Sequence, residues 1–379
     1  MCCNLIKSKN TKSISNYIEG TSHYNVFIIT IISLLGINFL LYGFFPFATI
    51  KNVVRLLIMA VILFYIFTAH KEYSFREIFC VIISMYLLLL GGNMTLNISF
   101  IILTSICMTD CKDVEKVCFI CSAVLVTVVV FSLSTHIVEA NVYVQGNRIR
   151  NTLGFYNVNA GSLFLFSTLI LFLFSRKKIS IVHIIISLSF SIILYRVTNS
   201  RTSLIGLVLF CITYILTTKC NKFANIIMVL DFLCLLSPIL WLISKLNDLE
   251  FDKLLSGRLH SFLNYIQSNS TMSLLMGGSN VNEIDNFYLM LLYNVGLILY
   301  VLFGFITLYS IRFYKNSNNY KSISYISSIL FIGLMESGAL RCEIICMLVF
   351  WMLILKPFIS INNYEANLNS NNTEVNNDV

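Results

Sequence analysis

Six arginines are the residues of this sequence whose type and placement most readily do chemistry: Arg148, Arg150, Arg196, Arg201, Arg258 and Arg341. A guanidinium keeps its charge at physiological pH and presents a rigid fork of donors that matches a pair of phosphate or carboxylate oxygens. The six come from distant stretches of the chain. Arg148 and Arg150 precede an apolar run that starts near residue 158, and Arg196 and Arg201 bracket a short polar connection. Arg258 lies in a long polar segment, and Arg341 heads the last apolar run. Cations set beside apolar runs are costly unless they meet anions. One by one, they can contact lipid headgroups or pair with Glu139, Glu250, Asp252, Glu283, Glu336 or Glu343. As a set, they suit a shared site for a diphosphate-like anion.

Other polar groups cluster near the same positions. The stretch from Arg150 to Ala160 is dense in polar and turn-forming residues and opens directly into an apolar run. Asn157 or Asn159 therefore either caps a helix or adds a ligand to a helix N-terminus that carries a partial positive charge. Ser200-Arg201-Thr202-Ser203 opens a later run in the same manner. In Asp285-Asn286-Phe287-Tyr288-Leu289, Asp285 is either a helix N-cap or a carboxylate able to take a proton from a hydroxyl. His260, two residues after Arg258, is a second candidate base and otherwise a surface loop residue. The acid pairs Glu250-x-Asp252 and Glu283-x-Asp285 are of a kind that arises readily by chance. Cys118-x-x-Cys121 lacks a second pair at zinc spacing. No metal site and no cofactor is expected.

The elements that must position these residues follow from composition. With 57% hydrophobic and 12% charged residues and a mean hydropathy of +0.82, the chain cannot cover a water-facing shell. The same figures exclude a disordered, collagen-like or disulfide-framed secreted chain, and the alternating segments of a membrane β-barrel are absent. The expected fold class is all-α: a polytopic integral membrane protein with about twelve spans. The apolar segments run roughly over 25–45, 52–69, 77–91, 95–109, 116–134, 158–175, 179–195, 202–217, 223–244, 286–309, 322–337 and 339–356. Only Gly91-Gly92-Asn93-Met94 separates the third and fourth, and a tight Ser337-Gly338 turn is expected between the last two.

Charge sorts with this pattern. Sixteen of the 26 basic residues fall on the side of the N-terminus, 13 of them lysine; the other ten comprise three lysines and seven arginines. The positive-inside rule accounts for the first set and makes that side cytoplasmic. It does not account for the arginine excess on the other. The net charge of +8 thus carries no implication of nucleic acid. A loop over about 245–285 falls on the outer side, where Leu254, Leu255, Leu259, Phe262, Leu263 and Ile266 suggest short helices lying at the interface. Residues 1–24 are expected as a cytoplasmic segment, 25–357 as the membrane domain, and 358–379 as a disordered cytoplasmic tail.

Short pieces of sequence give this topology a resemblance. Arg150, Leu153, Gly154, Phe155 and Asn159 match an Arg-x-x-Leu-Gly-Phe motif that ends in Pro-Asn, with Val158 in the usual proline position. Ser200-Arg201 matches a Ser-Arg at the head of a helix; Gly257-Arg258 and Met276-Gly277-Gly278 match a Gly-Arg and a glycine-rich turn of the late loop. Asp285, Asn286, Tyr288, Leu289 and Gly296 match an Asp-Asn-x-Tyr-Leu with a later glycine. In these pieces the chain resembles the O-antigen and capsular polysaccharide polymerases (Wzy-type), which are related to the O-antigen ligases.

The resemblance implies a substrate of oligosaccharide repeat units carried on undecaprenyl pyrophosphate, joined at the outer face of a bacterial cytoplasmic membrane. It also implies a role for the arginines in binding the pyrophosphate. With the residue readings above, the candidate substrate-binding residues are Arg148, Arg150, Arg196, Arg201, Arg341, Asn157, Asn159, Asn286 and Tyr288, and the candidates for the chemistry are Arg258, His260 and Asp285. The ligases often carry histidine near the position of Asp285, so the aspartate here favours the polymerase. The bilayer is an expected partner, together with a chain-length regulator and a flippase. The chain being itself a ligase, or a flippase of lipid-linked oligosaccharide, are the alternatives.

Overall fold

The computed structural model describes residues 26–38, 40, 48–68, 73–90, 92–109, 111, 113–139, 142–145, 148–155, 158–244, 271–278, 286–341 and 344–359. The helices are α1 (Val26–Asn38), α2 (Ala48–Thr68), α3 (Phe75–Leu89), α4 (Asn93–Thr109), α5 (Val114–Ser134), α6 (Val158–Phe174) and α7 (Ile181–Thr198). They continue with α8 (Arg201–Lys219), α9 (Asn221–Ser244), the short α10 (Thr271–Met276), α11 (Phe287–Asn316), α12 (Tyr320–Gly333) and α13 (Ile345–Ile359). Local signals set several ends. Ser74 and Glu77 form a reciprocal capping box at α3, and Ser180 and His183 do the same at α7. Asn199, in the left-handed region, ends α7.

Among the described residues, five helical stretches are long and apolar enough to cross a membrane: α5, α7, α8, the Asn221–Pro238 part of α9, and α11, whose length includes a break at Gly296. Their outward faces are apolar, as Phe131 on α5 and Ile185, Phe190 and Ile193 on α7 illustrate. In lipid, apolar faces gain little by meeting each other, so close packing and hydrogen bonds must hold such helices together. Gly206 lets α8 approach α12, for a Cβ there would lie 2.2 Å from Ile332 Cδ1. Tyr300 donates to the Leu235 carbonyl at 2.5 Å, Ser310 to that of Ile354 at 2.6 Å, and Tyr325 to that of Cys346 at 2.9 Å. Each such bond contributes about 0.6 kcal/mol on average in a membrane protein.

Several basic residues stand together at one end of the helices. Arg76 at the start of α3 donates to the carbonyl of Phe358 in α13, and Lys321 in α12 donates to that of Arg176 after α6. Lys315 of α11 bonds Asn225 of α9. The opposite end carries the junctions between α5 and α6, α7 and α8, and α12 and α13.

Three features depart from the sequence expectation. First, a β-hairpin, β1 (Val142–Gln145) and β2 (Arg148–Asn151), stands between α5 and α6, with Tyr143 opposite Arg150 and Gln145 opposite Arg148. In the sequence, the dipeptide Gly146-Asn147 between Val142-Tyr143-Val144 and Ile149 is the signal for it.

Second, α11 does not form one continuous span over 286–309. Phe287 and Phe303 would lie about 24 Å apart on a straight helix, yet their ring centroids are 5.7 Å apart. Gly296, at φ 82° and ψ 164°, folds residues 287–295 back against 297–316. Trp351 of α13 meets both rings.

Third, the tight Ser337-Gly338 turn is replaced by a longer break. Helix α12 ends at Gly333, a 3-10 turn covers Gly338–Leu340, and α13 begins at Ile345. These two helices, of 14 and 15 residues, measure only about 21–23 Å each, against a hydrocarbon core of about 30 Å. Bonds flank the break on both sides: Glu336 N–H reaches the Ile332 carbonyl at 3.0 Å, and Ser167 of α6 accepts from Cys346 N–H, in the first turn of α13, at 2.9 Å. Of the expected loop over 245–285, only residues 271–278 are described.

Candidate functional site

The turn after β2 aims Arg150. Asn151 Oδ1 accepts from Leu153 N–H at 2.8 Å, and Leu153 and Gly154 both take positive φ. Phe155 N–H then closes on the Thr152 carbonyl at 3.0 Å, while the Phe155 ring is buried against Phe164. The chain reverses within these five residues, and Arg150 meets the first turn of α6. Asn199 Nδ2, at the joint of α7 and α8, donates to the Ile149 carbonyl at 3.5 Å and holds β2 over that joint.

A chain of hydrogen bonds starts from Arg150. Its Nη2 donates to Asn159 Oδ1 at 2.7 Å; Asn159 Nδ2 donates to Glu336 Oε2 at 3.5 Å; Thr202 Oγ1 donates to Glu336 Oε1 at 3.2 Å. Beside it, Ser162 Oγ donates to Ser200 Oγ at 2.9 Å. Four separate parts of the chain thus meet: β2, α6, the head of α8 and the break between α12 and α13. Glu336 is only 4% exposed, and a carboxylate so buried needs donors and a nearby cation.

Further arginines stand at this same end. Arg201 is exposed at the first position of α8. A cation there adds to the positive end of the helix dipole rather than offsetting it, so its charge suits an outside anion better than it suits the helix. Arg196 is exposed in the last turn of α7, and Arg341 is half-buried five residues after Glu336. The end opposite the basic rim therefore carries guanidinium groups on four chain segments.

Other expected residues fall elsewhere. Arg258, His260, Asp285 and Asn157 lie outside the described residues. Arg148 pairs through its backbone with Gln145. Tyr288 is fully buried and donates to the Leu330 carbonyl at 2.6 Å. Asn286 caps α11 by accepting from Leu289 N–H at 2.9 Å and donates to the Leu334 carbonyl at 2.9 Å. The polar groups of these two residues are engaged inside the fold. Glu336 and Thr202 are the members that sequence reasoning did not place in the site. In the sequence, Glu336 is one of several acids open to pairing and Thr202 is part of a helix opening. Among the described residues, no group of three His, Cys, Asp or Glu side chains is placed to hold a metal ion.

Comparison with family models, curated proteins and solved structures finds no match to this chain.

Proposed function

We propose that this chain is a glycosyltransferase of the bacterial cytoplasmic membrane that joins oligosaccharide repeat units carried on undecaprenyl pyrophosphate, as the O-antigen and capsular polysaccharide polymerases do. In this reading twelve helical segments cross or enter the bilayer. The basic rim is cytoplasmic, and the 245–285 loop lies outside with the arginine end. The observation that carries the reading is the bonded set Arg150–Asn159–Glu336–Thr202, built from three distant stretches of the chain at the end away from the basic rim.

The chemistry follows from charge. A hydroxyl oxygen of one lipid-linked unit forms a bond to the anomeric carbon of another lipid-linked chain. The bond from that carbon to the pyrophosphate oxygen breaks, and its electron pair leaves with the lipid pyrophosphate. The hydroxyl proton passes to a base, for which Asp285 and His260 remain the candidates from sequence. Direct displacement inverts the anomeric centre. Negative charge grows on the departing pyrophosphate, and a guanidinium already held in place stabilises it without reorganising. Arg150 is that group, supported by Arg201 and Arg341.

The transport alternative draws on one observation. Asp231 is buried within α9 and accepts from Ser327 of α12 at 2.6 Å, and ionisable groups inside membrane helices often mark transport pathways. One experiment separates the readings. Purified protein given a lipid-pyrophosphate-linked repeat unit is expected to yield a ladder of longer chains and free lipid pyrophosphate. Absence of extension, together with movement of the same lipid across vesicle membranes, would replace the polymerase by a transporter.

A further inference from the structure

Asn159 stands between a group that can only donate and one that, when ionised, can only accept. A guanidinium has no acceptor, and a carboxylate has no donor. The amide has one orientation that satisfies both: its oxygen toward Arg150 at 2.7 Å and its nitrogen toward Glu336 at 3.5 Å. Glu336 is itself fixed, for its other oxygen receives Thr202 Oγ1 at 3.2 Å and its backbone N–H closes on Ile332. It sits on the non-helical break between α12 and α13 and is almost fully shielded.

We propose that Glu336 is a positioning residue: by holding the nitrogen of the Asn159 amide, it turns the amide oxygen to Arg150 and fixes the guanidinium that grips the lipid pyrophosphate. The inference rests on the polymerase reading, in which Arg150 contacts the pyrophosphate and Glu336 acts only through it. Glutamine at 336 keeps the arrangement, since its carbonyl accepts from Asn159 and its amide nitrogen donates to the Thr202 hydroxyl. Alanine removes it.

The test measures binding of undecaprenyl pyrophosphate to the purified full-length chain in lipid nanodiscs, with inorganic pyrophosphate as a separate ligand to divide headgroup from lipid recognition. Arg150→Ala and Glu336→Ala are each expected to weaken binding about tenfold, the effect of roughly one charge-assisted hydrogen bond. The double variant is expected to be no weaker than Arg150→Ala, and Glu336→Gln to regain most of the loss. A purely structural role would not give that non-additivity or that rescue. Additive losses, or a Glu336→Ala protein that binds like the parent while Arg150→Ala is weakened, would overturn the positioning role alone. Parent-like binding by Arg150→Ala would overturn the pyrophosphate role itself. Should Glu336→Ala fail to fold, Asn159→Ala takes its place: a loss equal to that of Arg150→Ala supports the link, and unchanged binding refutes it.

Discussion

Arg150 and Arg201 act by different means although both are arginines at the same end of the molecule. Arg150 is half-buried and held by Asn159, so its fork is aimed before any ligand arrives. Arg201 is exposed at a helix start and contributes charge without a fixed direction. Lysine at 150 keeps the charge but loses the planar fork. Arg150→Lys is therefore expected to slow repeat-unit joining by about 10²–10³-fold, the scale of removing one preorganised donor from a developing anion. Initial rates with the lipid-linked repeat unit check this. Arg201→Lys is expected to cost less than Arg150→Lys in the same assay, and an equal loss would mean that aim is irrelevant.

At the scale of elements, the fold-back of α11 depends on two glycine backbones in contact. A Cβ on Gly296 would lie 2.5 Å from the Leu275 carbonyl oxygen, and one on Gly277 would lie 2.6 Å from that of Asn294. Both residues have φ near +80°, a conformation L side chains rarely adopt. Gly278 N–H also donates to the Asn294 carbonyl at 3.0 Å. Gly296→Ala is expected to destabilise the protein by about 1–3 kcal/mol, from backbone strain with the clash in addition. Gly304, further along the same helix, has open space where a Cβ would stand. Gly304→Ala is expected to stabilise it by about 0.5–1 kcal/mol. Thermal unfolding in detergent should move the midpoint in opposite directions for the two variants; a harmless Gly296→Ala would contradict the clasp.

For the whole molecule, the proposed function sets the basic rim in the cytoplasm and the arginine end outside. Lys178 belongs to the rim and Ile137 to the far end, and both are exposed. In a background cleared of reactive cysteines, Ile137→Cys is expected to react with a membrane-impermeant thiol reagent applied to intact spheroplasts. Lys178→Cys is expected to react only after lysis. The reverse pattern would place the arginine end in the cytoplasm and remove the lipid-pyrophosphate site from the face where repeat units are joined.

What the sequence determined by itself was set by averages and periods. Apolar runs placed helices over each of the twelve segments to within a few residues in most cases. Helix propensity and hydropathy are summed over many residues, so single errors cancel. It also supplied Arg150, Asn159 and Ser200-Arg201 as polar groups at helix heads, because such groups interrupt apolar runs visibly. What the tertiary structure decided was which of them meet. Asn159 and Glu336 are separated by 177 residues, and no local pattern relates an acid near the end of α12 to an amide at the start of α6. The fold-back at Gly296 was equally hidden, since its apolar residues read as one long span. Whether a helix continues or reverses depends on one φ angle, which the surrounding packing fixes.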